Sequence, residues 1–182
     1  MIKGRARQWV IVVAVSATVA AISAGASALA SSGSRNEGNT IHEDLSGYAE
    51  TPLALSTMGE GQFQVQIDEG SQEITYELSY AGLEGNVTQA HIHFGSPAQT
   101  GGISLFLCTN LGNGPAGTQA CPAAPATVTG TLRPGDVIGP VGQGITAGQF
   151  DEVVAAIRGG STYVNVHSTL YPGGEIRAQL GH

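Results

Sequence analysis

Residues 62–80 read QFQVQIDEGSQEITYELSY, and this stretch decides the fold class of the chain. Apolar side chains occupy every second position on both sides of a turn: Phe63, Val65 and Ile67 before it, and Ile74, Tyr76, Leu78 and Tyr80 after it. A period of two is typical of a β-strand with one buried face. Asp-Glu-Gly-Ser at 68–71 supplies turn residues between the two runs. The stretch therefore predicts a β-hairpin.

Further strand patterns follow this hairpin, each bounded by Gly, Pro or Asn. They cover residues 87–94, 103–108, 126–132, 162–167 and 175–180. Residues 146–157 are the exception, because Thr146 and Gln149 form a capping box and the apolar residues after them recur at helical spacing. Many short strands joined by turns predict an antiparallel sandwich or barrel, here with one short helix linking two strands.

The first 30 residues have the organisation of a secretory signal peptide. Basic residues open the chain, residues 9–24 are almost entirely apolar or small, and Ala-Leu-Ala at 28–30 matches a cleavage site. We therefore expect residues 1–30 to be removed on export. The segment is also long enough to cross a bilayer, so an uncleaved anchor is the alternative. No later stretch predicts a transmembrane segment.

Residues 31–50 are rich in Ser, Gly, Asn and Glu and show no periodicity, which predicts a flexible tether. The apolar alternation starts after this segment. The expected organisation is therefore a signal peptide at 1–30, a tether at 31–50 and one β domain at 51–182.

Composition narrows the partners of this domain. Only 12% of the residues are charged while 41% are hydrophobic, which excludes a disordered chain. Removal of the first 30 residues would leave four arginines, no lysine and all fourteen acidic residues. A nucleic-acid surface needs clustered Lys and Arg, so nucleic acid and anionic lipid are poor candidates. We expect an exported protein, secreted or held in the cell envelope, that attracts cations or basic partners.

The two cysteines, Cys108 and Cys121, flank a segment rich in Gly, Asn and Pro. In an exported chain such a pair predicts a disulfide bond that closes the loop. Free or metal-binding thiols are the alternative, although no nearby His or third Cys completes a ligand set.

Three histidines are the main chemical resource of a domain with so few charged groups. Alternation along residues 87–94 places His91 and His93 together on the polar face of one strand. His167 likewise faces away from the apolar side of its own strand. If the two strands are neighbours, the three imidazoles form a ligand set suited to copper or zinc. The alternative is that these rings hydrogen-bond covering loops and bind no metal.

Other polar residues on the same face can support the histidines. Asn165 lies two positions before His167, and Glu175 and Arg177 alternate outward along the last strand. These three residues are candidates for a second layer that orients the imidazoles. The alternative, taken as the default, is an ion pair between Glu175 and Arg177 on a solvated face.

Three separated blocks resemble the signature of the CHRD domain, a module named after the extracellular protein chordin. The blocks are AHIHFG at 90–95, YVNVH at 163–167 and PGGEIRAQL at 172–180. The resemblance spans residues 51–180 and implies an immunoglobulin-like β-barrel in an extracellular setting. Combined with the strand pattern, it gives an all-β, antiparallel Greek-key sandwich or barrel with one short helix before the last two strands.

A more remote resemblance concerns the copper-zinc superoxide dismutases, which are also Greek-key sandwiches. The layout of His91, His93 and His167 is similar to that of their copper ligands. The chain has no His between His93 and His167 to bridge two metals, and it lacks the His/Asp cluster of a zinc site. Dismutase activity by that mechanism is therefore not expected.

No arrangement typical of a nucleophilic enzyme is present in the sequence, because neither Ser96 nor Ser168 lies in a Gly-x-Ser-x-Gly motif. The expected function is a non-catalytic binding or structural role toward an extracellular or cell-envelope macromolecule. The alternative is binding of copper or zinc by His91, His93 and His167.

Overall fold

The computed structural model describes residues 39–181, which contain eight strands and one α-helix. The strands are β1 (Thr40–Ser46), β2 (Glu60–Asp68), β3 (Glu73–Ala81), β4 (Val87–Phe94), β5 (Gly102–Thr109), β6 (Ala126–Leu132), β7 (Thr162–Ser168) and β8 (Ile176–Leu180). The helix α1 spans Phe150–Arg158 and precedes the last two strands. The predicted all-β class and the place of the helix are confirmed.

All eight strands join one sheet in the order β5-β4-β7-β8-β1-β2-β3-β6, and neighbouring strands are antiparallel. The predicted hairpin is β2–β3, in which Phe63 faces Leu78 and Val65 faces Tyr76. The sheet curls until its two edge strands, β5 and β6, contact each other. The result is a nearly closed barrel.

The core is built from the apolar face of each strand. Among its fully buried members are Phe63, Val65, Ile74, Leu78, Ala90, Ile92, Leu105, Val164, Val166 and Ile176. The helix α1 adds the predicted apolar stripe of Phe150, Val153, Val154 and Ile157 to this cluster. Full burial of each large apolar side chain stabilises the fold by about 1.5–3 kcal/mol, so this face fixes the strand register.

The helix begins at Phe150, later than the capping box predicts. The Gln149 side chain does accept a hydrogen bond from the Thr146 backbone N–H at 2.6 Å, which is one half of that motif. Gly148, however, has a φ of 85°, in the left-handed region. Because a right-handed helix cannot pass through this conformation, residues 146–149 form a turn that leads into α1.

The prediction of a flexible tether at residues 31–50 is wrong for its second half. β1 lies inside that segment, and all seven of its residues pair with β2. Only Leu45 is fully buried in β1, so the strand has too little apolar alternation to be recognised alone. Its order comes from the strands on both sides, β8 and β2. Residues 31–38 and the predicted signal peptide at 1–30 lie outside the described residues.

The predicted disulfide between Cys108 and Cys121 is confirmed. The loop that it closes also joins the two sheet edges through Gln119. The Thr109 backbone N–H donates to the Gln119 carbonyl at 2.9 Å, and Gln119 Nε2 donates to the Thr129 carbonyl of β6 at 2.9 Å. The loop therefore bridges β5 and β6 where the barrel would otherwise be open.

Within residues 39–181, no helix has the length and apolar character needed to span a membrane.

Candidate metal centre

The neighbouring strands β4 and β7 bring the three histidines together. In their antiparallel register, His167 lies opposite Gln89 and His91 lies opposite Asn165, and His93 lies two residues further along β4. All three rings point to the sheet face opposite the core, as the alternation predicts. One nitrogen from each ring lies within 4.8 Å of the other two. The predicted convergence is present, and ligation of a metal stays a prediction.

The three imidazoles are buried although they face away from the core. The relative exposure is 0% for His91, 7% for His93 and 6% for His167. Two segments outside the strands pack over this face: residues 47–58, which we call the strap, and the loop at residues 95–101. These two segments contact each other, since the Thr51 hydroxyl donates to the Gln99 carbonyl at 3.4 Å.

Backbone carbonyls fix the orientation of two of the rings. Nδ1 of His93 lies 2.9 Å from the Gly101 carbonyl, and Nδ1 of His167 lies 3.0 Å from the Pro172 carbonyl. A carbonyl can only accept, so Nδ1 carries the proton in both rings. In the neutral imidazole the lone pair then resides on Nε2. An Nδ1–H bond to a backbone carbonyl is the usual arrangement of a histidine that binds metal through Nε2.

His91 completes the cluster and leaves a nitrogen without a partner. Its Nδ1 lies 3.2 Å from Nε2 of His167, which carries a lone pair, so His91 donates in this contact. Its own Nε2 then bears a lone pair. Among the described residues, Nε2 of His91 and Nε2 of His93 are buried and have no hydrogen-bond partner. Two buried acceptor nitrogens without partners next to each other are rare in native proteins.

Burial keeps the three imidazoles neutral at physiological pH. Desolvation, with smaller contributions from the two neighbouring imidazoles, lowers the pKa of His91 to about 2. Desolvation also lowers the pKa of His93 to about 4, against the opposing effects of its hydrogen bond to Gly101 and of the Asn165 amide, which lies near the ring without meeting hydrogen-bond geometry. The pKa of His167 is lowered for the same reason. The nitrogens therefore present lone pairs rather than protons, which is the form that binds metal.

Aromatic side chains wall the cluster on two sides. The Phe106 ring meets His91 edge to face, with centroids 4.4 Å apart. The Tyr163 ring lies parallel to His93 at 4.7 Å, and the guanidinium carbon of Arg177 lies 3.5 Å from the centroid of the same tyrosine. These contacts restrict the rotation of His91 and His93.

Arg177 does not lie on a solvated face, and the default prediction of an exposed ion pair with Glu175 is wrong. Arg177 is 1% exposed and Glu175 is 0% exposed. The Arg177 guanidinium donates to the Thr51 hydroxyl of the strap and to the Ser96 carbonyl of the 95–101 loop. It therefore holds both covering segments, which the alternation of β8 could not predict because neither segment is periodic.

Glu175 points to the other end of the strap. Its Oε1 accepts a hydrogen bond from the Thr57 hydroxyl at 2.8 Å and from the Glu84 backbone N–H at 2.7 Å. The contacts of Glu175 fix the strap at Thr57, as Arg177 fixes it at Thr51. The two residues thus act on the cover of the cluster, and neither is shown to contact an imidazole directly.

Asn165 and Glu50 form a buried polar pair beside the histidines. Both are buried, and Oδ1 of Asn165 and Oε1 of Glu50 have no hydrogen-bond partner among the described residues. Burial raises the pKa of Glu50 to about 7, although Arg177 and hydrogen bonds from Thr51 and Asn165 act in the opposite direction. Sequence reasoning missed Glu50 because its segment was assigned to the tether, and no motif marks it.

The fold and the cluster together define an all-β, disulfide-bonded domain with three converging histidines buried outside its core. The chain belongs to the CHRD domain family, whose family model matches residues 41–180. The match begins within β1, one more reason to start the domain before residue 51. No curated protein and no solved structure matches the chain. The further resemblance to copper-zinc superoxide dismutases is therefore not confirmed.

Proposed function

We propose that this chain is an exported CHRD module that binds one copper or zinc ion through His91, His93 and His167. The observation that carries the proposal is the convergence of three buried, neutral imidazoles, two of which hold an Nε2 without a partner. The proposed role is binding rather than catalysis.

A buried nitrogen that lacks a partner destabilises the fold by about 1–3 kcal/mol. If the rings served only to hold the covering loops, their remaining nitrogens would be expected to find donors or to face water. Both partnerless Nε2 atoms instead lie in one cluster with the His167 ring. A metal ion would satisfy these lone pairs at once, which favours ligation over a purely structural role.

The spacing of the nitrogens is compatible with one ion. With metal–nitrogen bonds of about 2.0–2.1 Å, ligand nitrogens lie roughly 3.3–3.4 Å apart in tetrahedral coordination. Each ring offers one nitrogen, and no two of these three nitrogens are more than 4.8 Å apart. Small side-chain rotations would therefore bring the three nitrogens to the distances of tetrahedral coordination, without movement of the strands.

Loading with metal tests this function. Metal analysis and calorimetric titration with Cu²⁺ and Zn²⁺ should give one ion per chain for the wild type. His93→Ala should abolish or sharply weaken the uptake, whereas His42→Ala, an exposed histidine on β1, should not. Equal, weak uptake by the wild type and His93→Ala would contradict the proposal and leave a binding or structural module without a metal.

Export is the second part of the proposal. It rests on the signal-like pattern at residues 1–30, on the excess of fourteen acidic over seven basic residues and on the disulfide, which forms in oxidising compartments. Mass spectrometry of exported material should find a chain that begins near Ser31. Recovery of intact Met1 in a membrane fraction would establish the anchored alternative instead.

A further inference from the structure

We infer that the cluster of His91, His93 and His167 selects monovalent copper, Cu(I), over Zn(II). This inference rests on the proposed function, since it names the ion of the same site. It follows from the charge of the groups that surround the three nitrogens and from the small space that is left for a further ligand.

The three ligands bring no charge of their own. The free energy that an ion loses on leaving water grows with the square of its charge, so a divalent ion costs roughly four times as much to bury as a monovalent one. Anionic ligands reduce this cost in many zinc sites. Here, among residues 39–181, the cluster contains three imidazoles and no carboxylate.

A positive charge lies near the ligands, separated from His93 by the Tyr163 ring. The Arg177 guanidinium packs on the Tyr163 ring, and the same ring lies parallel to His93 at 4.7 Å. Arg177 is 1% exposed, so water screens its charge weakly. Its repulsion of a divalent ion is twice its repulsion of a monovalent ion at the same position.

The buried carboxylates of this region have other partners. Glu175 accepts hydrogen bonds from Thr57 and from the Glu84 backbone, and Glu50 interacts with Arg177 and Asn165. At most, Glu50 balances one unit of positive charge near the cluster. Arg177 already takes up that unit, so a bound monovalent ion leaves one excess positive charge in the buried site and a divalent ion leaves two.

The number of ligands that each ion needs also favours Cu(I) over Zn(II). Cu(I) is stable with three nitrogen ligands, whereas Zn(II) completes four positions, with a water molecule where the protein supplies three. Phe106 and Tyr163 pack against two of the imidazoles, and no ring is more than 7% exposed. A bound water would need space that these aromatic walls restrict.

Competition titrations of the mature chain test the selectivity. Cu(I) is supplied without oxygen, in the presence of ascorbate, as its bicinchoninate complex. Zn(II) is supplied as its complex with 4-(2-pyridylazo)resorcinol. We expect the dissociation constant for Cu(I) to be smaller than that for Zn(II) by about 100-fold or more. An equal or smaller constant for Zn(II) would overturn the inference and leave the proposed function intact, and binding of neither ion would overturn both.

Two variants test the electrostatic cause. Arg177→Gln removes the positive charge and should raise the Zn(II) affinity more than the Cu(I) affinity. The ratio of the Zn(II) to the Cu(I) dissociation constant should therefore become smaller. Arg177→Lys keeps the charge and should leave this ratio unchanged. Glu50→Gln removes the compensating carboxylate and should widen the ratio, which provides the test if Arg177→Gln does not fold. A ratio unchanged by Glu50→Gln and by a folded Arg177→Gln would contradict the account.

Discussion

In two of the three histidines, a hydrogen bond at Nδ1 decides which ring nitrogen is free to bind a metal. The bonds from His93 and His167 to backbone carbonyls set the tautomer of both rings and aim Nε2 into the cluster. The carbonyl partners, Gly101 and Pro172, lie in non-strand segments. The ligand geometry of the site therefore depends on the loops as much as on the strands.

Gly174 is the residue at which a single methyl group should disturb the buried polar pair. Its φ is 129°, and an added Cβ would lie 2.5 Å from Asn165 Nδ2 and 2.6 Å from Glu50 Oε1. Gly174→Ala should therefore lower the free energy of unfolding by about 2–3 kcal/mol, measured by denaturant titration. Gly173→Ala is the matched control, because nothing lies within 4 Å of a Cβ at that position. Equal effects of the two changes would show that the contacts of Gly174 do not matter.

Glu50 should give the stability of the metal-free protein a distinctive pH dependence. Its pKa is about 7 in the fold and 4.5 without the fold's effects, so the folded state binds the extra proton between these values. The stability linked to this proton is fully present below pH 4.5 and is lost as the pH rises through about 7. Between pH 4.5 and pH 8, the free energy of unfolding of the wild type should fall by about 3 kcal/mol relative to that of Glu50→Gln.

Denaturant titrations of both proteins across this pH range measure the difference. Glu60→Gln, which alters an exposed carboxylate on β2, is the control and should follow the wild type. If the wild type and Glu50→Gln keep a constant difference in stability from pH 4.5 to 8, Glu50 does not titrate as a buried acid.

At the scale of elements, the sequence predicts the strands that carry strong alternation and misses the one that does not. β2 shows three apolar residues at period two and β3 shows four, and the β4 and β7 patterns place the histidines on one face correctly. β1 has one fully buried residue and acquires its order from its neighbours. The sequence also does not predict that the histidines are buried, because the strap and the 95–101 loop that cover them have no periodic pattern.

Removal of β1 should prevent folding. A chain that starts at Thr51 loses the strand between β8 and β2 as well as Glu50, and it leaves the backbone N–H and C=O groups of β8 and β2 that pair with β1 without partners. A chain that starts at Asn39 keeps all described strands and should melt cooperatively. Circular dichroism during thermal unfolding compares the two. A cooperative transition of the shorter chain at the same temperature would show that β1 is dispensable.

For the whole molecule, the barrel depends on a connection between the two sheet edges. The disulfide loop supplies it through Gln119, and the Tyr76 hydroxyl donates to the Leu107 carbonyl of β5 at 2.7 Å. The double change Cys108→Ala and Cys121→Ala should lower the free energy of unfolding by about 3 kcal/mol, because the unfolded chain is no longer constrained. Urea titration of the variant beside the oxidised wild type measures this loss. A change below about 1 kcal/mol would mean that the loop is ordered by its hydrogen bonds alone.

We expect one metal ion to bind among His91, His93 and His167, and anomalous diffraction from crystals of the copper-loaded protein measures its position. A single strong peak is expected at the copper absorption edge, about 2.0–2.1 Å from one nitrogen of each of the three imidazoles. A peak only at surface groups such as His42, or a cluster whose nitrogens are bridged by ordered water with no anomalous signal, would contradict it.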